Sequence, residues 1–205
     1  MKISETLEMA SNVMYSGEVP FATPTQLVKA DVIFGHEFGD QKNVSETSRS
    51  IAKNARRWHQ ELGIPVIFQH PCELAFPDVK PVHVIRENLL HPGKYLDTNE
   101  VQRQLAEFCF EKGWTNVILC CHPKHAWRAG LNLMIHGLTP VFIDNSNVKC
   151  DLRCSRWSMK SEYIWLPREV YAKFRYFMEG KISLKDARAL DKSIKDFFNK
   201  QKQRG

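Results

Sequence analysis

No apolar run in this 205-residue sequence approaches the roughly 18–20 residues that would cross a bilayer, so a membrane-spanning helix is not expected. The stretch Met1 to Ser16 holds Lys2 as its one basic residue and no continuous apolar block. A secretory leader is therefore not expected, and a cytoplasmic location is the expectation. There is no Gly-x-Ser-x-Gly elbow, which argues against serine-hydrolase chemistry. Gly35 and Gly39 stand four apart without the Lys-Ser/Thr that follows in a phosphate-binding Walker loop, and a Gly-x-Gly-x-x-Gly dinucleotide fingerprint is missing too. The six cysteines (72, 109, 120, 121, 150 and 154) are scattered and mostly in apolar surroundings, as reduced structural thiols are. Cys150-x-x-x-Cys154 has no second pair, so a structural zinc is not assigned. Low-complexity linkers and internal repeats are absent as well. An apolar fraction of 43% with 25% charged residues then leaves an ordinary globular chain, long enough for one domain with a full core and marginal for two.

What is present is most concentrated in residues 116–128. Asn116-Val117-Ile118-Leu119-Cys120-Cys121 reads as a central parallel strand covered on both faces. A loop holding His122 and His125 follows, then a helix from Lys124 to His136 with Arg128 one turn in. A strand ending at a helix N-terminus is where open α/β sheets take ligands, because free N–H groups and the helix dipole converge there. His125 and Arg128, three apart, share one side of that first turn and add positive charge. The competing reading is that the two histidines only satisfy loop hydrogen bonds.

The same alternation runs through the rest of the chain. Ala30–Gly35 forms a first strand. A helix follows over about Ser45–Leu62, which Asn43 or Ser45 can cap, with Glu46 placed to close a capping box on Asn43 and Gly63 stopping it. Pro65–Gln69 and Val82–Ile85 are the second and third strands. Asp97-Thr98-Asn99-Glu100 opens a helix to about Lys112, Gly113 ends it, Val117–Cys121 is the fourth strand, and Pro140–Asp144 is the fifth. Five strands separated by helices predict a Rossmann-like, doubly wound, mostly parallel five-stranded α/β sheet with helices on both faces. A single domain over 1–205 is expected, with its core at about 28–145 and a helical extension at about 160–202. Residues 149–205 carry 15 Lys/Arg against 7 Asp/Glu, and residues 1–148 carry 14 against 16. A basic C-terminal quarter opens a nucleic-acid-associated reading. However, Leu184, Ala187, Leu190, Ile194, Phe197 and Phe198 repeat every three or four residues among mixed charges, as on a solvated amphipathic helix. Trp157, Trp165, Tyr171, Phe174 and Phe177 read as packing residues, with stacking on an adenine-like ring as the sharper alternative.

The rim at the strand C-termini is expected to collect Gly35, His36, Glu37 and Gly39, then Gln69 and His70, Glu87, and finally His122, Lys124, His125 and Arg128. Glycine there allows close backbone approach to a phosphate or carboxylate, or simply a tight turn. Asp97, Thr98 and Asn99 cap a helix, and a cap facing the cleft could also hold a ribose or phosphate. His125 is the expected general acid or base, with an ordinary pKa near neutrality. Glu37 or Glu87 would orient it. His36, His70, Cys72, His122 and His125 are types that bind metals, yet the spacing of His122 and His125 alone does not make a site, and no metal is assigned. Cys121 activated by His125 is conceivable as a nucleophile, with a buried thiol as the preferred reading.

Several of these motifs together resemble the YdcF/SanA-like family, built on domain of unknown function 218. Ser16-Gly17-Glu18-Val19-Pro20 with Ala30–Gly35 resembles that family's entry into its first strand. Glu87 with Asp97-Thr98-Asn99 resembles its acidic residue and Ser-Thr-Asn helix opening, and His122–Ala129 is similar to its strand-loop-helix with His and Arg. Arg168–Tyr176 resembles its closing helix. Two stretches depart: Gln69-His70-Pro71-Cys72 replaces a Ser-Gly-Gly-like loop, and Gln102-Arg103 replaces Glu-Asn. The resemblance spans about residues 16–181 and implies a Rossmann-like protein that binds a small anionic, nucleotide-type ligand. S-adenosylmethionine is the ligand that it names. A hydrolase or transferase of phosphorylated substrates is the alternative, and neither the reaction nor the oligomeric state follows from the resemblance.

Overall fold

A computed structural model describes residues 21–38 and 43–149. The expected helical extension, the aromatic set from Trp157 to Phe177, Gly39 and the motifs at 16–20 and 168–176 lie outside these residues. The described elements are α1 (Pro24–Val28), β1 (Val32–Gly35), α2 (Glu46–Leu62), β2 (Val66–Gln69), β3 (His83–Ile85), α3 (Thr98–Glu111), β4 (Asn116–Cys120), α4 (Pro123–Ile135) and β5 (Thr139–Phe142), with a 3-10 turn at Cys72–Ala75. Their five-stranded sheet has the order β3-β2-β1-β4-β5, and every pairing is parallel. The expected "mostly parallel" sheet is thus wholly parallel. β1 sits at its centre, paired with β2 on one side and β4 on the other, so the winding direction reverses between β1 and β4. That is where a sheet of this type opens a crevice.

Alternation along the strands builds two cores. Val32, Phe34, Ile67, Val117, Leu119 and Cys121 face one way, together with Val101, Leu105, Ala129 and Leu133 of α3 and α4. Ile33, Val66, Phe68, Ile118, Cys120 and Val141 face the other way, with Ile51, Ala52 and Ala55 of α2. Side chains alternate because successive residues of a strand point to opposite faces, and both faces here are covered, as in parallel sheets generally. Among the described residues no helix is long and apolar enough to cross a membrane.

The helix ends differ from expectation in instructive ways. Ser45 caps α2 and forms its box with Ser48, whose hydroxyl accepts from the Ser45 N–H, instead of the Asn43–Glu46 pair. Glu46 is then left to favour the positive end of the helix dipole. Gly63 ends α2 in the left-handed conformation, φ 68°, which costs glycine nothing. α4 begins at Pro123, a position where a missing N–H is harmless, so His125 stands on the helix and only His122 is left in the connection.

Asp97 caps α3 by accepting from the Glu100 N–H at 2.9 Å. Glu100 does not reach back to its cap; it turns inward and becomes a hub. Its Oε1 accepts from the Leu89 and Leu90 N–H groups, from Gln104 and from Arg103, and its Oε2 accepts from Arg103 at 2.7 Å. The Arg103 guanidinium, first among these donors, holds the Glu100 carboxyl down at about 2. This hub ties the long connection after β3 to the start of α3.

Candidate functional site

Two strand ends build the centre. His36 follows β1 directly, and its N–H donates to the Cys120 carbonyl at 2.8 Å, which prolongs the β1–β4 pairing by one step. The imidazole thereby points into the space beside α4. There its Nε2 lies 3.4 Å from Nε2 of His125, with the rings edge-on at 4.7 Å. Arg128, one turn further along α4, brings Nη2 to 3.0 Å from Nδ1 of His125. On the other side, Nδ1 of His36 lies 3.0 Å from the Glu37 carbonyl oxygen.

These contacts admit a single proton order. A guanidinium only donates, so Nδ1 of His125 accepts and its proton is on Nε2. That proton is donated to Nε2 of His36, whose own proton is then on Nδ1 and goes to the Glu37 carbonyl. The result is a directed chain from Arg128 through two neutral imidazoles to the backbone. Its electrostatics agree. His36 is 2% exposed, and burial, then the neighbouring His125, push its pKa well below the ordinary imidazole value, with Arg128 adding to the effect. An imidazole kept neutral can still accept a proton when an anion arrives beside the cation that repels it.

Phe38 closes the chain from the β1 side. It stacks on His122 at 4.5 Å and 19°, and tilts against His125 at 5.2 Å. His122 and His125 are therefore both buried against the same ring. Behind them, Asn145 donates to the Leu119 carbonyl at 3.0 Å and accepts from the Cys121 N–H at 3.3 Å, fixing the end of β4. Asn54 of α2 exchanges hydrogen bonds with Asn147 at 2.8 and 2.7 Å and so holds that loop in place.

Glu37 occupies a second environment. Its Oε2 accepts from the Cys72 thiol at 2.9 Å, and its N–H donates to Gln69 at 3.1 Å. Burial, and next the Glu37 carboxylate, hold the Cys72 thiol well above its usual range, so it stays a donor. Cys120 is raised by burial as well. Cys121 is fully buried among apolar core residues, in keeping with the preferred reading of a packed thiol.

Other expected residues take different places. Gly35 ends β1, as expected, and is paired on both sides. A Cβ on it would meet the Phe68 ring at 2.4 and 2.6 Å, so its lack of a side chain makes room for Phe68 instead of a ligand. Glu87 is exposed at the end of β3, two strand positions away from β1. Asp97 is an exposed cap and Thr98 is buried behind it. The Asn99 amide oxygen lies 3.0 Å from Nε2 of His136, just past α4, and accepts from it. The Lys124 side chain lies outside the described ones. Among the described residues no group of three or more His, Cys, Asp or Glu side chains is arranged to hold a metal ion.

Phe38 and Asn145 were not singled out from sequence, and Cys72 only as a residue type that binds metals. Phe38 had the one usable signal: an aromatic residue between Glu37 and Gly39, three positions past a strand. Comparison of the chain with protein-family models, with curated proteins and with solved structures gave no match.

Proposed function

We propose that this chain is a YdcF-like protein that binds a small anionic, nucleotide-type ligand at the C-terminal ends of its parallel strands. The supporting observation is the Arg128–His125–His36 chain at the β1–β4 reversal, the position at which open α/β sheets take ligands. Arg128 and the start of α4 supply positive potential for a phosphate or carboxylate. The two imidazoles supply a path for a proton, with His125 as the acid–base group and the Glu37 carbonyl as the far end. Phe38 and His122 offer stacked ring surface beside it. S-adenosylmethionine, carried over from the family resemblance, is one ligand of this class, and a cytoplasmic location accords with it.

Thermal-shift measurements with AMP, ATP, S-adenosylmethionine and inorganic phosphate test this reading, because a ligand that binds only the folded state raises the melting temperature by mass action. A saturable rise in the wild type that disappears in Arg128→Ala is the expected outcome. No rise with any of the four, or an equal rise in the variant, overturns it. The directed proton path favours one second reading, a hydrolase or transferase of phosphorylated substrates, and release of phosphate from ATP or AMP would select it.

A further inference from the structure

The sheet of the described residues has two edges, β3 and β5, and they differ. β5 contains Pro140, which has no N–H to offer, and its Phe142 carbonyl already accepts from the Ala22 N–H at 2.7 Å. β3 has neither device. No proline interrupts it, and among the described residues its backbone pairs on the β2 side alone. Its outer N–H and C=O groups are an open template for another extended segment.

That edge opens on a groove of about 410 Å³ between β3 and α3. His83 of β3 stacks on Phe108 of α3 at 4.4 Å, and Glu87, Glu107 and Glu111 stand around the pair, all three exposed. The nearby cations are largely engaged. Arg86 also lines the groove, but Glu73 Oε1 holds its Nη1 at 2.8 Å and lies 2.8 Å from Nδ1 of His70 as well. Arg103 is shared between Glu107 and Glu100, and Lys112 Nζ lies 5.5 Å from the Phe108 ring centroid. Even with these counted, Glu73, Glu87, Glu100, Glu107 and Glu111 outnumber Arg86, Arg103 and Lys112, and Glu87 and Glu111 form no salt bridge among the described residues. Apolar surface flanks the acidic groove: Val82 at the entry to β3 is 49% exposed and Leu89 beyond its exit 57%.

We infer that the β3 edge is a docking site for an extended basic segment of a partner protein, which pairs with β3 as an added strand and directs every second side chain, a lysine or arginine, into the groove. The aliphatic stems lie along Phe108 and Leu89 and the charged ends meet Glu87 and Glu111. Main-chain pairing supplies affinity, and the alternate side chains supply selection. The three residues of β3 present about 10 Å of edge, so a segment of about five residues covers it. A second copy of this chain suits the edge less well, because the same carboxylates would face one another. The site needs neither Arg128 nor His125 and so goes beyond the proposed function.

The probe is a fluorescent peptide, acetyl-Lys-Val-Lys-Val-Lys-Val-amide, titrated with the full-length protein and followed by anisotropy, with Glu in place of every Lys as the charge control. Saturable binding of the Lys peptide, none of the Glu peptide, and binding about fivefold or more weaker in the Glu87→Gln/Glu111→Gln double variant are expected. Both of those side chains are exposed, so the variant should fold. Two N-methylated peptides test the pairing, because successive N–H groups of a strand point to opposite sides. Methylation of every Lys amide, or of every Val amide, should abolish binding in one case and spare it in the other. Hydrogen exchange at the outer β3 amides should slow about tenfold at about ten times Kd. No binding, equal binding of the Glu peptide, an unchanged double variant, equal effects of the two methylation patterns or unaltered exchange at β3 overturns the inference. A dimer in sedimentation that the Lys peptide dissociates assigns the edge to a second copy and overturns it too. Arg128→Ala should bind the peptide as the wild type does. Loss there would join the groove to the first site and overturn their independence, whereas retained peptide binding with no nucleotide-induced thermal shift removes only the proposed function.

Discussion

Glu100 and His36 are both buried ionisable side chains at the ends of strands or helices, yet their surroundings drive them to opposite states. Glu100 is ringed by two backbone N–H groups, an amide and a guanidinium, and the opposite charge keeps it ionised. His36 faces another imidazole and, beyond it, a cation, and burial first, then these neighbours, keeps it neutral. Burial favours the neutral form of both; at Glu100 the neighbours overcome it, and at His36 they add to it. The first arrangement locks a loop to a helix and has nothing left to exchange. The second holds protons in a directed order and responds to any anion that cancels Arg128.

The sharpest way to break this contrast is to remove the Glu100 carboxylate. Glu100→Ala leaves Arg103 and the Leu89 and Leu90 N–H groups without their acceptor, and should cost about 3 kcal/mol in urea unfolding. A loss near zero would mean that the hub is decorative. In the wild type its contribution should be fully present above the ordinary value of 4.5 and fade as pH falls toward about 2, because the unfolded chain takes the proton first. A packing test comes next. Gly35→Ala drives a methyl into the Phe68 ring and should cost about 1–3 kcal/mol, with the anion-binding reading untouched if Gly35 serves the core alone.

His36 gives a pH dependence of the same sign in a higher window. Its folded pKa lies below the ordinary 6.5, so the unfolded chain gains the proton first as pH falls. Stability should therefore drop below about pH 6.5 and level off once the folded state is protonated as well. Urea midpoints between pH 7.5 and 5 should show that slope in the wild type and a shallower one in His36→Gln. The remaining slope reports other lowered histidines, of which His83, lowered by burial, is one. The smallest effect belongs to Phe38→Leu, which keeps apolar bulk and loses the His122 stack, and should cost about 0.5–1 kcal/mol.

The strands and their order of appearance were legible because Val-Ile-Phe and Val-Ile-Leu runs alternate with helical periodicity and are punctuated by Gly63, Gly113 and Gly137. The parallel sense of the sheet followed from the same alternation, since parallel neighbours need crossovers; the order β3-β2-β1-β4-β5 did not. Cap identity was not legible: Ser45 and Asn43 are both good cap residues, and only tertiary placement selects Ser45. Of the site, the convergence of His36, His125 and Arg128 was readable, as all three flank the ends of adjacent strands. Gly35 was legible as the end of the first strand, but nothing local reveals that Phe68, from a neighbouring strand, needs its space. The Cys72–Glu37 and Glu73–His70 pairs join segments 35 and 3 residues apart. The first has no local signature, and the second was hidden because His70 was weighed as a rim or metal residue.

Calorimetric titration with AMP near pH 7, repeated in buffers of different ionisation enthalpy, tests the central claim most directly. Burial keeps His36 neutral and Arg128 adds to the effect; an anion beside Arg128 removes that added repulsion, so binding should draw protons from the buffer, and His36→Gln should reduce that uptake. Binding with no proton uptake, or no binding at all, would contradict the account.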